Sequence, residues 1–207
     1  MIIACTVAIA GGVLAAIYMD SAVWKVVLIT LCVLLAGITT FFFRNPNRDV
    51  TVDSSLVVSP ADGRVIEVDK VFVEEYFGCE CTRISIFLSL FNVHITWYPT
   101  GGEITYFKYY PGAHTFAFLP KSSEKNEHTS IVVKDENGRE VMFRQIAGIV
   151  ARRVVSYAKE GDRSEQGAQA GFIKFGSRLT VLIPGDSEPV VKVGDIVKGS
   201  VTPLARI

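Results

Sequence analysis

Val57-Val58-Ser59-Pro60-Ala61-Asp62-Gly63-Arg64-Val65-Ile66-Glu67-Val68 is the stretch whose reading decides the fold. Two runs rich in β-branched residues flank Pro60-Ala61-Asp62-Gly63. Proline there fixes one backbone angle, aspartate can bond nearby amides, and glycine accepts a tight turn. Run, turn and run in that order predict two strands. The pattern continues along the chain, with predicted strands at Leu56–Val58, Gly63–Val68, Arg83–Leu88, Gly102–Tyr109, Ser130–Lys134, Val141–Gln145 and Arg178–Ile183. Further turns are read at Glu136-Asn137-Gly138 and Pro184-Gly185-Asp186. Helix signals are scarce from Val50 onward. Ile146–Val155 is apolar around Arg152 and Arg153, and it is read as a strand although periodicity alone does not separate strand from buried helix.

Near the C-terminus, Val191–Leu204 reads V-K-V-G-D-I-V-K-G-S-V-T-P-L. Gly-Asp turns between short β-branched runs, here and at Val57–Val68, resemble the sandwich-barrel domains of lipoyl carriers. No lysine is centred in a carrier-type hairpin, so that likeness concerns fold alone. The expectation is a mainly β protein: one sandwich-barrel-like domain over residues 44–207.

Residues 1–43 are of another kind. Residues 2–19 and 26–43 are uncharged apolar runs of 18 residues each, separated by the polar link Asp20 to Lys25. As a helix each run spans about 27 Å, close to the roughly 30 Å hydrocarbon core of a bilayer. They predict an N-terminal α-helical hydrophobic hairpin that anchors the chain in the cell membrane, by spanning it or by entering one leaflet. A cleaved signal peptide fits less well, because no basic segment precedes the first run. Arg44 and Arg48 follow the second run and place the β domain on the cytoplasmic side.

Charge and cysteine content narrow the function. Formal net charge is zero, and because the first 43 residues carry only Asp20 and Lys25 the β domain is balanced too. Nucleic acid is therefore not expected as a partner. The four cysteines form neither a metal-ligand pattern nor a disulfide framework, and no metal is expected. With 164 residues the β domain can close its own core. The oligomeric state stays open, and a homo-oligomer is allowed.

Few residues can carry chemistry. Of the three histidines, His94 lies in Phe91-Asn92-Val93-His94-Ile95-Thr96-Trp97-Tyr98-Pro99, where a strand-end imidazole can face a cleft, while His114 and His128 are weaker candidates. Asp62 could serve only as a turn cap. Gly176-Ser177 sits between apolar stretches in Gly171-Phe172-Ile173-Lys174-Phe175-Gly176-Ser177-Arg178-Leu179. A glycine leaves its carbonyl sterically open to a following serine, although a lone Gly-Ser dipeptide is a weak signal.

Taken in order, Phe43-Arg44-Asn45-Pro46, Ser59-Pro60-Ala61-Asp62-Gly63, Asn92-Val93-His94, Tyr110-Pro111-Gly112, Asn126-Glu127, Ile146-Ala147-Gly148 with Ala151-Arg152-Arg153, and Phe175-Gly176-Ser177 resemble the phosphatidylserine decarboxylase family in its short form. The resemblance covers most of residues 41–184. Three positions depart from the family's common pattern: Arg178 where long forms carry threonine, Trp97 where arginine is common, and His128 where arginine is common. The first is read as a subfamily difference, and the other two bear on head-group contacts.

The resemblance implies a mechanism. Ser177 adds to the carbonyl of Gly176, the resulting ester undergoes β-elimination, and loss of ammonia leaves a covalent pyruvoyl cofactor derived from Ser177. His94 would act as base with Asp62 orienting it. A large chain of residues 1–176 and a small chain of residues 177–207 would stay associated. The pyruvoyl ketone would form a Schiff base with phosphatidylserine and accept the electrons released with carbon dioxide, giving phosphatidylethanolamine. His94 would then protonate the carbanion. Arg152, Arg153 and Lys174 suit either the lipid phosphate or a solvated surface. Two other readings compete: the same chemistry on an ether lipid with a serine head group (an archaetidylserine decarboxylase), and a non-catalytic membrane-anchored β-barrel carrier or adaptor.

Overall fold

The structure is a computed structural model that describes residues 2–18, 20–112, 126–148, 154–173 and 176–207. His114, Arg152, Arg153 and Lys174 lie outside the described residues, so the roles considered for them are not addressed by it. The chain divides into two compact units, Met1–Pro46 and Asn47–Ile207, each taken by itself.

The first unit consists of α1 (Ile2–Tyr18) and α2 (Ala22–Phe42). Apolar sequence satisfies its backbone internally as helix; α2 takes in Ala22–Lys25 of the expected polar link, and the break falls at Asp20-Ser21. Helix α2 is 21 residues long with mean hydropathy 2.2, enough in length and composition to cross a membrane. Val23, Trp24, Val26, Leu34, Ile38 and Phe41 all stand exposed along it, a surface that lipid accommodates and water does not. The helix ends beside Arg44, whose Nη1 donates to the Phe41 carbonyl at 2.8 Å. Its guanidinium also lies 3.9 Å from the Phe41 ring centroid, so a cation meets the negative end of the helix dipole.

The second unit is β throughout. Its strands are β1 (Leu56–Val58), β2 (Gly63–Val73), β3 (Cys79–Leu88), β4 (Ile95–Trp97), β5 (Gly102–Tyr110), β6 (His128–Lys134), β7 (Glu140–Ile146), β8 (Val154–Ser156), β9 (Arg163–Ser164), β10 (Gln169–Ile173), β11 (Ser177–Pro184), β12 (Glu188–Pro189), β13 (Ile196–Val197) and β14 (Pro203–Arg206). Eight form one sheet in the order β13-β2-β3-β11-β7-β6-β5-β9, and two three-stranded sheets follow the orders β1-β14-β12 and β4-β10-β8. The fold is mainly β behind an apolar helix pair, as the sequence predicts.

Alternation along β11 shows why the sheet forms. Leu179, Val181 and Ile183 enter the main core with Ile84, Ile86, Leu88, Val141 and Phe143. Leu182 points the other way, into a second cluster with Cys81, Met142, Val132 and Val73. A strand apolar on both faces belongs in the middle of a sheet, and β11 runs antiparallel to β3 on one side and β7 on the other. Burial also pushes the Cys81 thiol up to about 12, which keeps it an inert core group.

Ile146–Val155 is not one strand. Ile146 ends β7 and Val154 begins β8, with Ala147-Gly148 outside any strand. The Ala147 N–H turns to the Glu127 carbonyl at 2.8 Å, and Asn126 Nδ2 donates to the Ala147 carbonyl at 2.8 Å. Those bonds draw the backbone out of the ladder.

Because Leu179 is fully buried at the centre of β11, Leu179→Ala should destabilise the β unit by about 3 kcal/mol, the usual cost of such a cavity. Urea unfolding of the detergent-solubilised chain, followed by near-ultraviolet circular dichroism, measures it. A change below about 1 kcal/mol would contradict the central placement of β11.

Candidate active site

Ser177 opens β11, paired with Leu88 of β3. By alternation its side chain shares the core face with Leu179. It is fully buried, and its Oγ has no hydrogen-bond partner among the described residues. An unsatisfied buried hydroxyl costs about 1–3 kcal/mol, so its retention calls for a reason other than stability. Gly176 before it has φ +62°, and a Cβ built there would meet nothing within 4 Å. Glycine is needed here for backbone conformation, and the space around its α-carbon is open.

His94 immediately precedes β4 and is fully buried. Its Nδ1 lies 2.9 Å from the Asn92 carbonyl. A carbonyl only accepts, so Nδ1 carries the proton of the neutral ring and Nε2 is the basic nitrogen. The His94 carbonyl in turn accepts the Ile173 N–H at 3.0 Å.

Two chain connections therefore run between the same pair of sheets. Strand β3 leaves the large sheet at Leu88, opposite Ser177, and the chain enters the sheet of β4 just after His94. Strand β10 ends at Ile173, bonded to His94, and the chain re-enters the large sheet at Ser177. Ser177 is four positions after Ile173, a span of at most about 14 Å. The Gly176–Ser177 bond thus lies where the chain passes from the sheet of β4 to the sheet of β3.

Asp62 occupies the turn before β2. Its carboxylate accepts both Arg48 Nη1 and Nη2 at 2.7 Å and the Gly199 N–H at 2.8 Å. Arg48 also donates to the Gly199 carbonyl, and its guanidinium lies 4.5 Å from the Trp97 ring centroid. Gly199 is held tightly in this cluster, since a Cβ on it would come within 2.4 Å of the Trp97 ring. Asp62 is therefore engaged by Arg48 and Gly199, while the ring nitrogen it was expected to orient is bonded to Asn92. The two residues are linked through β4: Trp97, three residues after His94, donates its N–H to Pro60 at 2.9 Å.

The other motif segments also meet. Asn126 and Glu127 hold Ala147 as described, and Glu127 Oε1 accepts the Val154 N–H at 3.1 Å. Beside them runs a buried relay, Thr129 Oγ1 to Gln145 Oε1 at 2.8 Å and Gln145 Nε2 to Thr96 Oγ1 at 2.5 Å. His128 stacks on Tyr110 with centroids 4.6 Å apart and bonds the Asn126 carbonyl through Nδ1 at 2.8 Å. Burial, its largest influence, holds the His128 pKa below the usual histidine range. Together these describe a neutral packing histidine.

Three participants were not legible as such in the sequence. Arg48 read as a membrane-flanking charge, yet it is the partner of Asp62. Trp97, a departure from the family pattern, packs beneath that arginine. Arg178 is fully buried on the sheet face opposite Ser177, bonded to Glu67 and to Ser85 Oγ at 2.9 Å. Burial brings its pKa down to about 10, which leaves it charged at neutral pH.

Comparison with known proteins shows the family. The sequence profile of the family described as phosphatidylserine decarboxylase matches residues 35–205. A phosphatidylserine decarboxylase proenzyme of Amoebophilus asiaticus is 48% identical over 167 residues, covering 81% of this chain and 74% of the relative. One from Parabacteroides distasonis is 43% identical over 167 residues, covering 80% and 76%. One from Cytophaga hutchinsonii is 37% identical over 187 residues, covering 90% and 85%. With the profile spanning most of its length and relatives this similar, the chain belongs to the phosphatidylserine decarboxylase family.

Proposed function

We propose that this chain is a proenzyme that cuts itself between Gly176 and Ser177, converts Ser177 into a pyruvoyl group, and decarboxylates phosphatidylserine to phosphatidylethanolamine. Decarboxylation of phosphatidylserine is the reaction of the family to which it belongs, which sets aside the reading as a non-catalytic carrier. The observation that carries the site assignment is the buried Ser177 Oγ, without a partner among the described residues, directly after a left-handed glycine.

Self-cleavage on this reading is local chemistry. Ser177 Oγ attacks the Gly176 carbonyl carbon while His94 Nε2 takes the hydroxyl proton. The carbon–nitrogen bond breaks as the amide nitrogen is protonated, leaving an ester. Loss of the Ser177 α-proton then expels the Gly176 carboxylate, and water releases the nitrogen as ammonia. The open space around Gly176 leaves room for its carbonyl to swing toward the hydroxyl. A pyruvoyl group at position 177 would supply a ketone for the substrate amine and an electron sink for loss of carbon dioxide. On this reading His94 returns a proton to the product carbon.

Asp62 enters this scheme through β4. By fixing Arg48 against Trp97 and the Gly199 backbone, it holds the strand on which His94 rides. Sidedness rests on Arg44 beside the end of α2, because the charge of Arg48 is consumed by Asp62; a cytoplasmic β unit is the orientation it supports. Residues 1–176 and 177–207 remain together as the two chains of the mature enzyme.

Intact-mass measurement should find two chains, the smaller beginning at position 177 and lighter by one ammonia than a serine-started chain. A single unblocked chain in active material would defeat the proposal. Ser177→Ala should abolish both cleavage and decarboxylation. Gly176→Ala, forced out of the left-handed region, should slow cleavage roughly tenfold, the effect of about 1–2 kcal/mol on the competent conformer. A time course on a denaturing gel reads it, and an unchanged rate would remove the backbone argument.

Arg48→Met leaves the Asp62 carboxylate, its side chain 14% exposed, with the Gly199 N–H but no counter-charge. It should destabilise the β unit by about 3 kcal/mol and slow cleavage as β4 loosens. If calorimetry shows no loss of stability, the Arg48–Asp62 contact does not help to hold the β unit together.

A further inference from the structure

Between Leu88, which pairs with Ser177, and His94 lies the turn of residues 89–93. It is braced internally: Asn92 Oδ1 accepts the Ser89 N–H at 2.9 Å and the Ser89 hydroxyl at 2.6 Å, and the Asn92 N–H returns to the Ser89 carbonyl at 3.1 Å. The polar groups of the turn are thus spent on the turn itself. At its tip the apolar side chains Leu90 and Phe91 are 52% and 77% exposed. From Ile84 to Gly102 the sequence contains no Asp, Glu, Lys or Arg. A turn that leaves this much apolar surface of two adjacent side chains open to water gains free energy when that remaining surface is taken up by an apolar medium.

We propose that Leu90 and Phe91 dock the β unit onto the bilayer surface and thereby deliver the serine head group to Ser177. The inference rests on the assignment of Ser177 as the reacting residue. Its occupant is the lipid surface, because the family's substrate is a membrane lipid and the turn offers no polar or charged group with which to specify a protein. The distances agree. Leu90 lies two residues beyond Leu88, at most about 7 Å of chain, and interfacial side chains reach about 5–10 Å into the boundary between head groups and acyl chains. Burying the tip therefore sets the first residue of β11 at head-group level, with no need to lift the lipid out of the bilayer.

The test uses the full chain in phosphatidylserine–phosphatidylcholine vesicles. In a Trp24→Phe, Phe91→Trp chain, lipid brominated along its acyl chains should quench the new tryptophan, whereas in a Trp24→Phe control the buried Trp97 is unaffected. Absence of quenching overturns the proposal whether or not Ser177 is catalytic. Separately, Leu90→Asp with Phe91→Asp, and the milder pair Leu90→Ser with Phe91→Ser, should still cleave into two chains. They should decarboxylate soluble glycerophosphoserine at the parent rate but lose at least tenfold in turnover of vesicle phosphatidylserine, since burial of one such side chain is worth about tenfold or more. Equal loss on both substrates, unchanged turnover on vesicles, or failure of both pairs to cleave would overturn it. Failure of the Ser177 assignment shows elsewhere, as an uncleaved parent chain.

Discussion

The pairing of β11 between β3 and β7 is the interaction on which the rest of the β unit depends. Ser177 is the first residue of that strand, so a chain cut before Ser177 keeps every ladder bond from Arg178 onward. Beyond β11 the same segment supplies β13 to β2 and β14 to β1, and Leu204 and Ala205 to the main core. Residues 177–207 are thus woven through two sheets. A cut at that point removes one covalent bond from a region already fixed by burial, and the folded state loses little of what holds it together.

Two partly buried ion pairs brace the segments around the site from different sides. Arg48–Asp62 ties the chain just after the first unit to the turn before β2 and, through Trp97, to β4. Arg178–Glu67 pins the start of β11 from the face opposite Ser177. Removing such charges from water is expensive, and replacing a pair by well-packed apolar residues is often no less stable. What a planar, bidentate contact supplies is direction. Arg178 illustrates the expense, since its Nε and Nη1 have no partner among the described residues. Its neighbour Ser177 Oγ is also unsatisfied, so two adjacent residues on opposite faces of one strand hold unspent hydrogen-bonding capacity. That combination is unusual in a strand serving only as core.

Much of the fold was legible because local chemistry agreed with the tertiary outcome. Leu56–Val58 matches a strand end to end, and Gly63, Leu88, Gly102 and Lys134 are strand ends as read. The tight turn at Asn137-Gly138 joins β6 and β7, which the main sheet pairs directly, and the one at Asp62-Gly63 leads from β1 of a smaller sheet into β2 of the main one. The short strands β4, β8, β9, β10, β12 and β13 were not legible, since two to five residues carry no period and are ordered by their partners. At the site, residue identities pointed to Ser177, His94 and Asp62 only through their ordered company. The missing part was connection. Arg48 stands 14 positions from Asp62, inside a stretch whose charge has an adequate explanation in the membrane, and nothing in one sequence marks it as a partner. The His94–Asn92 bond was equally hidden, because it uses a backbone carbonyl, which every residue possesses.

The junction between two sheets is also a sensible place for the bond that the proposed reading breaks. Within a strand the Gly176 carbonyl would be committed to a ladder and held flat, away from a neighbouring hydroxyl. At a crossover the backbone can take the left-handed conformation that only glycine accepts cheaply. Strand β10 is tied to His94 on one side and β11 to Leu88 on the other, so the connection between them is short and its ends are fixed. On the proposed reading, cutting it frees residue 176 from the buried residue 177. The place vacated by the peptide bond is then the place a head group must enter, so a single bond both masks the site before cleavage and, once broken, creates the group that fills it.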